Sequence, residues 1–115
     1  MSPTARTLKE LRDQGYTCEV VEHWNSYSRQ RHDLFNLFDI LAIREGRTLG
    51  LQVTTESNNS ARKNKMMHET SHTRLWLSAG NDCELWTWKK IKHRWRYRRR
   101  VFTLNRDENC ETEMK

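Results

Sequence analysis

Three polar side chains interrupt two apolar strand patterns in the middle of the chain. In residues 38–57, FDILAIREGRTLGLQVTTES, Asp39 begins one alternation and Gln52 and Thr54 lie in the next. Strand residues i and i+2 share a face, so Gln52 and Thr54 point together, and strand pairing can bring Asp39 to the same place. The Asp39 carboxylate, the Gln52 carbonyl and the Val53 backbone carbonyl are hard oxygen donors, which suit Mg²⁺ or Mn²⁺. The pattern predicts the metal site of a hydrolase.

A structural role for Asp39 is the alternative. Aspartate is depleted in strands, and this one enters a run that is apolar on both faces, which favours a functional position. Gln52 and Thr54 are ordinary strand residues if taken alone, because threonine is common in strands and a buried amide is usually hydrogen-bonded. The prediction for both therefore depends on Asp39.

A dense basic run lies in the last third of the chain. Residues 89–100, KKIKHRWRYRRR, hold eight Lys or Arg and no acid. This exceeds the charge that protects an exposed strand edge, and phosphate relieves the repulsion while releasing counterions. We therefore expect nucleic acid as the partner. The candidate contacts are Arg29, Arg31, Lys63, Lys65, Lys89, Lys90, Lys92, Arg94, Arg96, Arg98, Arg99 and Arg100.

Length and composition bound the architecture. A chain of 115 residues with net charge +6 suits one domain, expected over residues 1–106 with a basic hairpin at about 83–104. The acidic residues 107–115 are expected to be a disordered tail. Three widely spaced cysteines indicate neither a disulfide framework nor a zinc site. The sequence has no apolar run of membrane-spanning length and no signal-peptide core. We therefore expect a soluble cytoplasmic protein that has no membrane partner and no small-molecule cofactor.

The order of predicted elements is α-β-β-β-α-β-β. Ser2 and Pro3 begin a helix that Gly15 ends, and the alternation of residues 38–44 predicts a central strand. The other predictions are a strand at 16–24, a loop at 25–37, a strand at 47–55, a helix within 55–70, a strand at 73–80 and a hairpin from CELWTW and RWRYRRRVFTL. This order indicates an α/β fold with a mixed central sheet flanked by helices.

The motif residues resemble a known superfamily. The element order, with Asp39 followed by QVT at residues 52–54, is similar to the PD-(D/E)XK, or restriction-endonuclease-like, nucleases over roughly residues 3–88. The segments DLFNLFDILAIREGRTLGLQVT, SNNSARKNK and LWLSAGNDCELWTWKK resemble small phage and prophage proteins of this type. The resemblance implies Mg²⁺- or Mn²⁺-assisted hydrolysis of DNA, including branched or junction DNA, by a homodimer in the cytoplasm of a bacterial or phage-infected cell.

The resemblance also assigns site residues. Asp39 matches the motif aspartate, Gln52 the acid of the (D/E)XK element and Thr54 its lysine, and the completing acid would be Glu10 or Glu22. Gln52 is neutral where the superfamily has a carboxylate, and Thr54 lacks the lysine charge that stabilises the transition state. A lysine from the second predicted helix, Lys63 or Lys65, would take that role.

Two alternatives to the endonuclease remain at this point. One is a weakened or inactive nuclease-fold protein that binds nucleic acid or regulates a partner protein. The other is an RNA-binding module that depends only on the basic run.

Overall fold

The computed structural model describes residues 1–35, 37–58, 70–104 and 110–114. In these ranges the chain forms two α-helices, one 3₁₀ turn and eight strands. They are α1 Pro3–Asp13, β1 Thr17–Val20, β2 His23–Asn25, β3 Gln30–His32, β4 Ile40–Arg44, β5 Arg47–Thr55, the 3₁₀ turn Glu56–Asn58, α2 Thr70–Ser78, β6 Asp82–Ile91, β7 Arg94–Phe102 and β8 Cys110–Met114. No helix in the described ranges has the length and apolar character that crossing a membrane requires.

One six-stranded sheet forms the centre of the molecule. Its strand order is β1-β4-β5-β6-β7-β8, and β2 and β3 form a separate two-stranded sheet. Only β5 and β6 pair in parallel among the described strands, and the other neighbours pair antiparallel. A parallel pair needs a crossover connection, and α2 lies on the one that joins β5 to β6. The predicted mixed sheet with flanking helices is confirmed.

Helix α1 begins and ends as its sequence predicts. The Ser2 hydroxyl accepts the N–H of Ala5 at 3.1 Å, Pro3 occupies the first turn, and Gly15 takes a φ of +91° just after the helix. Its buried Leu11 belongs to a core cluster with Leu51 of β5 and neighbouring side chains. This first face of the sheet is therefore the one that α1 covers.

A buried ion-pair network also lies on the α1 face. The Arg47 guanidinium donates to Glu84 Oε2 and to Asp82 Oδ2, each at 2.6 Å, and to the Tyr16 hydroxyl at 2.6 Å. The Glu84 side chain is fully buried, and its other oxygen accepts the Trp86 indole N–H at 2.9 Å. The carboxylate is thus buried with its charge paired and both oxygens satisfied.

Helix α2 covers part of the opposite face. Trp76 and Leu77 of α2 pack against a second cluster that includes Phe38, Leu85 and Phe102. The Phe38 and Trp76 rings lie 4.8 Å apart between centroids. Both faces of the sheet therefore carry an apolar layer, as expected for a central strand that is apolar on both sides.

Three segments differ from the sequence-based expectations. The strand predicted at 73–80 is wrong, because Trp76 and Leu77 pack as part of helix α2, which ends before Gly80 at a φ of +90°. The loop predicted at 25–37 contains most of the β2–β3 hairpin. The strand β8 lies in the segment whose acidic composition predicted disorder. Most of the helix predicted within 55–70 lies outside the described residues.

Candidate metal centre and nucleic-acid surface

Asp39 is held between two strands at the start of β4. Its backbone N–H donates to the Leu51 carbonyl at 2.8 Å, and its carbonyl accepts the Val21 N–H at 2.8 Å. Its side-chain Oδ2 accepts the Gln52 amide N–H at 2.9 Å and the Val53 backbone N–H at 3.0 Å. The structure therefore brings Asp39 and Gln52 to one point, on the face of the sheet opposite α1.

Two further carboxylates join Asp39. Carboxylate oxygens of Glu22, Asp33 and Asp39 all lie within 4.8 Å of one another. Glu22 immediately precedes β2 and Asp33 immediately follows β3, and the adjacent residues His23 and His32 pair across the hairpin. The antiparallel pairing of β2 with β3 thus brings both acids to the base of one hairpin, beside Asp39.

The cluster changes the acidity of Asp39. Its pKa is raised from the ordinary 3.8 to about 7, mainly by burial, with smaller contributions from the nearby charges of Asp33 and Glu22 and from a hydrogen bond with Asp33. The hydrogen bond from the Val53 N–H acts in the opposite direction. Three acids at this spacing repel one another when ionised, which is the electrostatic setting of a cation site or a proton-sharing cluster.

A buried amide oxygen completes the donor set. Gln52 is 1 % exposed, and its Oε1 has no hydrogen-bond partner among the described residues, while its Nε2 faces Asp39. Val53 presents its N–H to Asp39, and the N–H and C=O of one strand residue point to the same side of the strand. Three carboxylates, an unpartnered amide oxygen and an adjacent backbone carbonyl are hard oxygen donors that fit Mg²⁺ or Mn²⁺.

The other predicted site residues are Glu10, Thr54 and the two lysines. Glu10 on α1 accepts a hydrogen bond from the Tyr97 hydroxyl at 3.3 Å, on the opposite face of the sheet from the cluster. Thr54 is buried, two positions beyond Gln52 on the same face of β5. Lys63 and Lys65 lie outside the described residues. Of the two acids considered for completing the site, Glu22 is the one beside Asp39.

Gly50 allows the residue before Asp39 to pack closely. A Cβ at Gly50 would lie 2.8 Å from atoms of the Phe38 ring, closer than such atoms normally approach. The absence of a side chain therefore lets the Phe38 ring lie directly on β5. This contact anchors the chain one residue ahead of Asp39.

The strand register places part of the basic run on the same face as the cluster. Gln52 pairs with Leu85, which pairs with Arg100, and Thr54 pairs with Thr87, which pairs with Arg98. Residues that pair directly across a sheet share a face, and two strand spacings are about 10 Å. We refer to Arg96, Arg98 and Arg100 as the arginine stripe, because these alternate residues of β7 share that face.

The other predicted cations are distributed around the stripe. The β6–β7 turn and its flanks carry the exposed Lys89, Lys90, Lys92 and Arg94. Arg99 lies on the α1 face, with its Nε 3.6 Å from Glu84 Oε1. Arg29 and Arg31 lie on the β2–β3 hairpin, where Arg31 Nη1 is 3.8 Å from Glu22 Oε1. The basic run is therefore split between two faces of the sheet.

A basic cleft lies at the turn end of the hairpin formed by β6 and β7. It encloses about 460 Å³, and its lining residues are Arg6, His93, Arg94, Trp95 and Arg96. The Arg6 guanidinium lies over the Trp95 ring at 4.7 Å. Cationic and aromatic lining of this kind suits phosphate and nucleotide groups.

Asp33 lies in the segment 25–37 that the sequence predicts as a loop, and it is not among the predicted metal ligands. Its partnership with Glu22 depends on the hairpin register, which the turn at Asn25 sets. Asn25 Oδ1 accepts hydrogen bonds from the backbone N–H groups of Tyr27 and Ser28. An asparagine at the start of a turn is a sequence signal for that turn, but it is hard to recognise in a segment where most residues are polar. A turn over residues 26–29 that pairs Asn25 with Gln30 would have placed Glu22 opposite Asp33.

Comparison with known proteins supports the fold. No model of a known protein family matches the sequence, and no curated protein does. The solved structure of Archaeoglobus fulgidus Hjc, a Holliday junction resolvase from an archaeal hyperthermophile, is similar over 96% of this chain and 85% of that chain, with a TM-score of 0.51 and 14% sequence identity. That resolvase belongs to the restriction-endonuclease-like superfamily. The chain described here therefore has the restriction-endonuclease-like fold that its motif spacing predicted.

Proposed function

We propose that this protein is a Mg²⁺- or Mn²⁺-dependent DNA endonuclease that hydrolyses phosphodiester bonds in branched DNA. One observation carries the proposal: three carboxylates converge beside the buried Gln52 amide on the sheet face that also bears the arginine stripe. Oxygen donors for a hard cation and cations for phosphate thus lie within about two strand spacings of each other.

Each residue has a role that follows from its position. Glu22, Asp33 and Asp39 would hold the ion, and the Val53 carbonyl would lie at the same strand edge. The Gln52 amide, which bonds Asp39, would lie beside that ion and could offer it an oxygen ligand. When bound, the divalent cation supplies positive charge at the scissile phosphate and acidifies a water molecule. In the hydrolysis, a water oxygen would bond to phosphorus and lose a proton, one P–O ester bond would break, and the leaving oxygen would take up a proton, which yields a phosphate end and a hydroxyl end.

The cations of the chain would orient the substrate. Arg98 and Arg100 lie in the cross-sheet rows of Thr54 and Gln52, so they would bind phosphates beside the one that is cut. In this proposal Thr54 does not replace the motif lysine, because the threonine side chain carries no charge. Lys63 or Lys65 would supply the positive charge.

Junction DNA and a homodimer are the finer parts of the proposal. The neighbour in fold is a Holliday junction resolvase, which supports branched DNA as the substrate. The described residues form one acidic cluster, whereas cutting two strands symmetrically needs two. A two-fold dimer meets this need. We place the activity in the cytoplasm of a bacterial or phage-infected cell, as for a phage or prophage nuclease.

A DNA-binding protein without catalysis is the second candidate. It is favoured by Gln52 and Thr54, two uncharged residues where nucleases of this fold carry an acid and a lysine. Such a protein would keep the arginine stripe and its phosphate contacts and would use them to hold DNA or to regulate a partner protein. The two candidates differ in whether the protein binds a divalent metal ion that supports cleavage.

The test is cleavage of supercoiled plasmid, linear duplex and a four-way junction in Mg²⁺, in Mn²⁺ and in EDTA. Asp39→Asn keeps the shape of the side chain and removes its charge. Loss of an outer partner of a metal ligand alone typically costs 10–100-fold, so we expect loss of a ligand to reduce cleavage by more than about 100-fold. The matched control is Asp13→Asn, an exposed carboxylate of α1 that pairs with Lys9 and should leave cleavage unchanged.

The outcomes separate the two candidates. Junction cleavage by the wild type and by Asp13→Asn, but not by Asp39→Asn, supports the endonuclease. Junction binding by all three proteins with no cleavage in either metal would leave the binding protein. Equal cleavage by wild type and Asp39→Asn would show that the chemistry occurs elsewhere.

A further inference from the structure

The β2–β3 hairpin exposes aromatic side chains next to the acidic cluster. Tyr27 at its tip is 99 % exposed and Trp24 on β2 is 59 % exposed. All but one of the six residues of the two strands are exposed, and Asn25 is half-buried. Large aromatic side chains exposed on a surface often mark an interaction site, so these two rings are available to a partner.

The tip of the hairpin is preformed. Asn25 Oδ1 accepts the N–H of Tyr27 at 2.9 Å and the N–H of Ser28 at 3.2 Å, and Arg29 takes a left-handed φ of +55°. A Ser28 Oγ to His32 Nε2 hydrogen bond of 3.1 Å joins the turn to β3. These bonds fix the backbone that carries Tyr27, so less conformational entropy is lost when the ring binds something.

The charge of the hairpin selects an anionic occupant. Residues 23–32 contain two arginines and two histidines and no acid, while acids stand immediately outside at Glu22 and Asp33. Trp24 pairs directly across from Arg31, so an aromatic ring and a guanidinium occupy neighbouring positions. Alternating aromatic and cationic groups are the features that bind single-stranded nucleic acid, by base stacking and by phosphate contact.

We propose that the β2–β3 hairpin recognises unpaired bases where DNA strands separate. Tyr27 and Trp24 stack on those bases, and Arg29 and Arg31 bind the adjoining phosphates. This inference depends on the proposed function for its partner, DNA, but it needs no cleavage. In an intact duplex the base faces are already stacked on each other, so the hairpin has nothing to stack on.

The position of the hairpin links recognition to the acidic cluster. Glu22 and Asp33 end its two strands, and the three residues of β2 span about 10 Å. A base stacked at the tip would therefore hold its strand so that a nearby phosphodiester reaches the cluster. Selection of branched over fully paired DNA follows from this geometry without contacts to particular base sequences.

The experiment measures DNA binding without a divalent metal, in EDTA. Two probes of equal length are used: a closed duplex, and the same duplex with three unpaired bases, one of them 2-aminopurine. The variants are Trp24→Ala, Tyr27→Ala and Tyr27→Phe. The control is Leu75→Ala, which truncates an exposed apolar side chain of α2. Thermal unfolding confirms that each variant folds.

We expect each alanine variant of the hairpin to bind the probe with unpaired bases about 10-fold more weakly, since one base stack is lost. Duplex affinity should change less than about 2-fold, because the arginine stripe remains. Tyr27→Phe keeps the ring and should bind like the wild type, as should Leu75→Ala. Quenching of 2-aminopurine should be lost in the alanine variants.

Two results would overturn the proposal. Unchanged affinity of both alanine variants for the unpaired probe would assign the hairpin to another role, such as contact with a protein. An equal loss on both probes would mean that the hairpin binds DNA without preference for unpaired bases. Selective binding without cleavage in Mg²⁺ or Mn²⁺ would instead refute the endonuclease and leave this inference standing.

Discussion

Asp39→Asn should make the metal-free protein more stable at alkaline pH. The wild-type carboxyl has a pKa of about 7 in the folded chain, against 3.8 when unfolded, mainly because it is buried. Between these values the unfolded chain has released the proton and the folded chain keeps it. The free energy of unfolding therefore falls as pH rises from about 4 to about 7.

The size of the effect follows from the raised pKa. A difference of about 3 pH units at 1.36 kcal/mol per unit is about 4 kcal/mol above pH 7. Asn is neutral at every pH, and its Oδ1 can still accept the N–H groups of Gln52 and Val53. It mimics the protonated acid, so the variant avoids this cost. In a domain of this size the gain corresponds to a rise in Tm of roughly 15 °C.

Thermal unfolding in EDTA between pH 4 and pH 8.5 measures the difference. The Tm of the variant should exceed that of the wild type at pH 8.5, and the two should converge toward pH 4. Adding Mn²⁺ at pH 8 should raise the Tm of the wild type, because a ligand of the folded state stabilises it, and should have much less effect on the variant. A variant that is no more stable than the wild type at pH 8.5, or a difference that does not change with pH, would refute the reasoning.

Two other predictions concern charged side chains, first those of the arginine stripe and then the buried Glu84. Replacing Arg98 and Arg100 by Gln should lower the slope of log affinity against log salt for duplex DNA by about 1.8, at about 0.9 per phosphate contact, whereas Lys9→Gln on α1 should leave it unchanged. In urea unfolding, Glu84→Gln should cost about 3 kcal/mol, because the largely buried Arg47 guanidinium loses the one fully buried carboxylate that it pairs with. Asp82→Asn removes a carboxylate that is 46 % exposed and bonds the same guanidinium, so it should cost less than about 1 kcal/mol.

Local patterns were sufficient to predict the central part of the fold. The Ser2 cap and Gly15 bounded α1, and the period-two alternation put Gln52 on the face of β5 opposite Leu51. Together with the turn after β4, this alternation is enough to bring Asp39 to Gln52, because the register of a tight hairpin is fixed by its turn.

Features that depend on distant packing were not predictable from local patterns. The apolar residues of α2 suit a strand equally well, and they form a helix because Trp76 packs on Phe38. The basic run looks uniform in sequence, yet strand parity sends Arg98 to the face of the acidic cluster and Arg99 to the buried Glu84. Only the strand register distinguishes such neighbouring arginines.

The two ends of the β2–β3 hairpin have a mechanical consequence. Glu22 lies at the base of β2 and Asp33 at the base of β3, so an ion held by both would link the two strands of the hairpin. Without the ion, the two carboxylates would repel each other when ionised and would push the bases of β2 and β3 apart. Metal binding would then stiffen the base of the hairpin, while the hydrogen bonds of Asn25 would hold its aromatic tip with or without the ion.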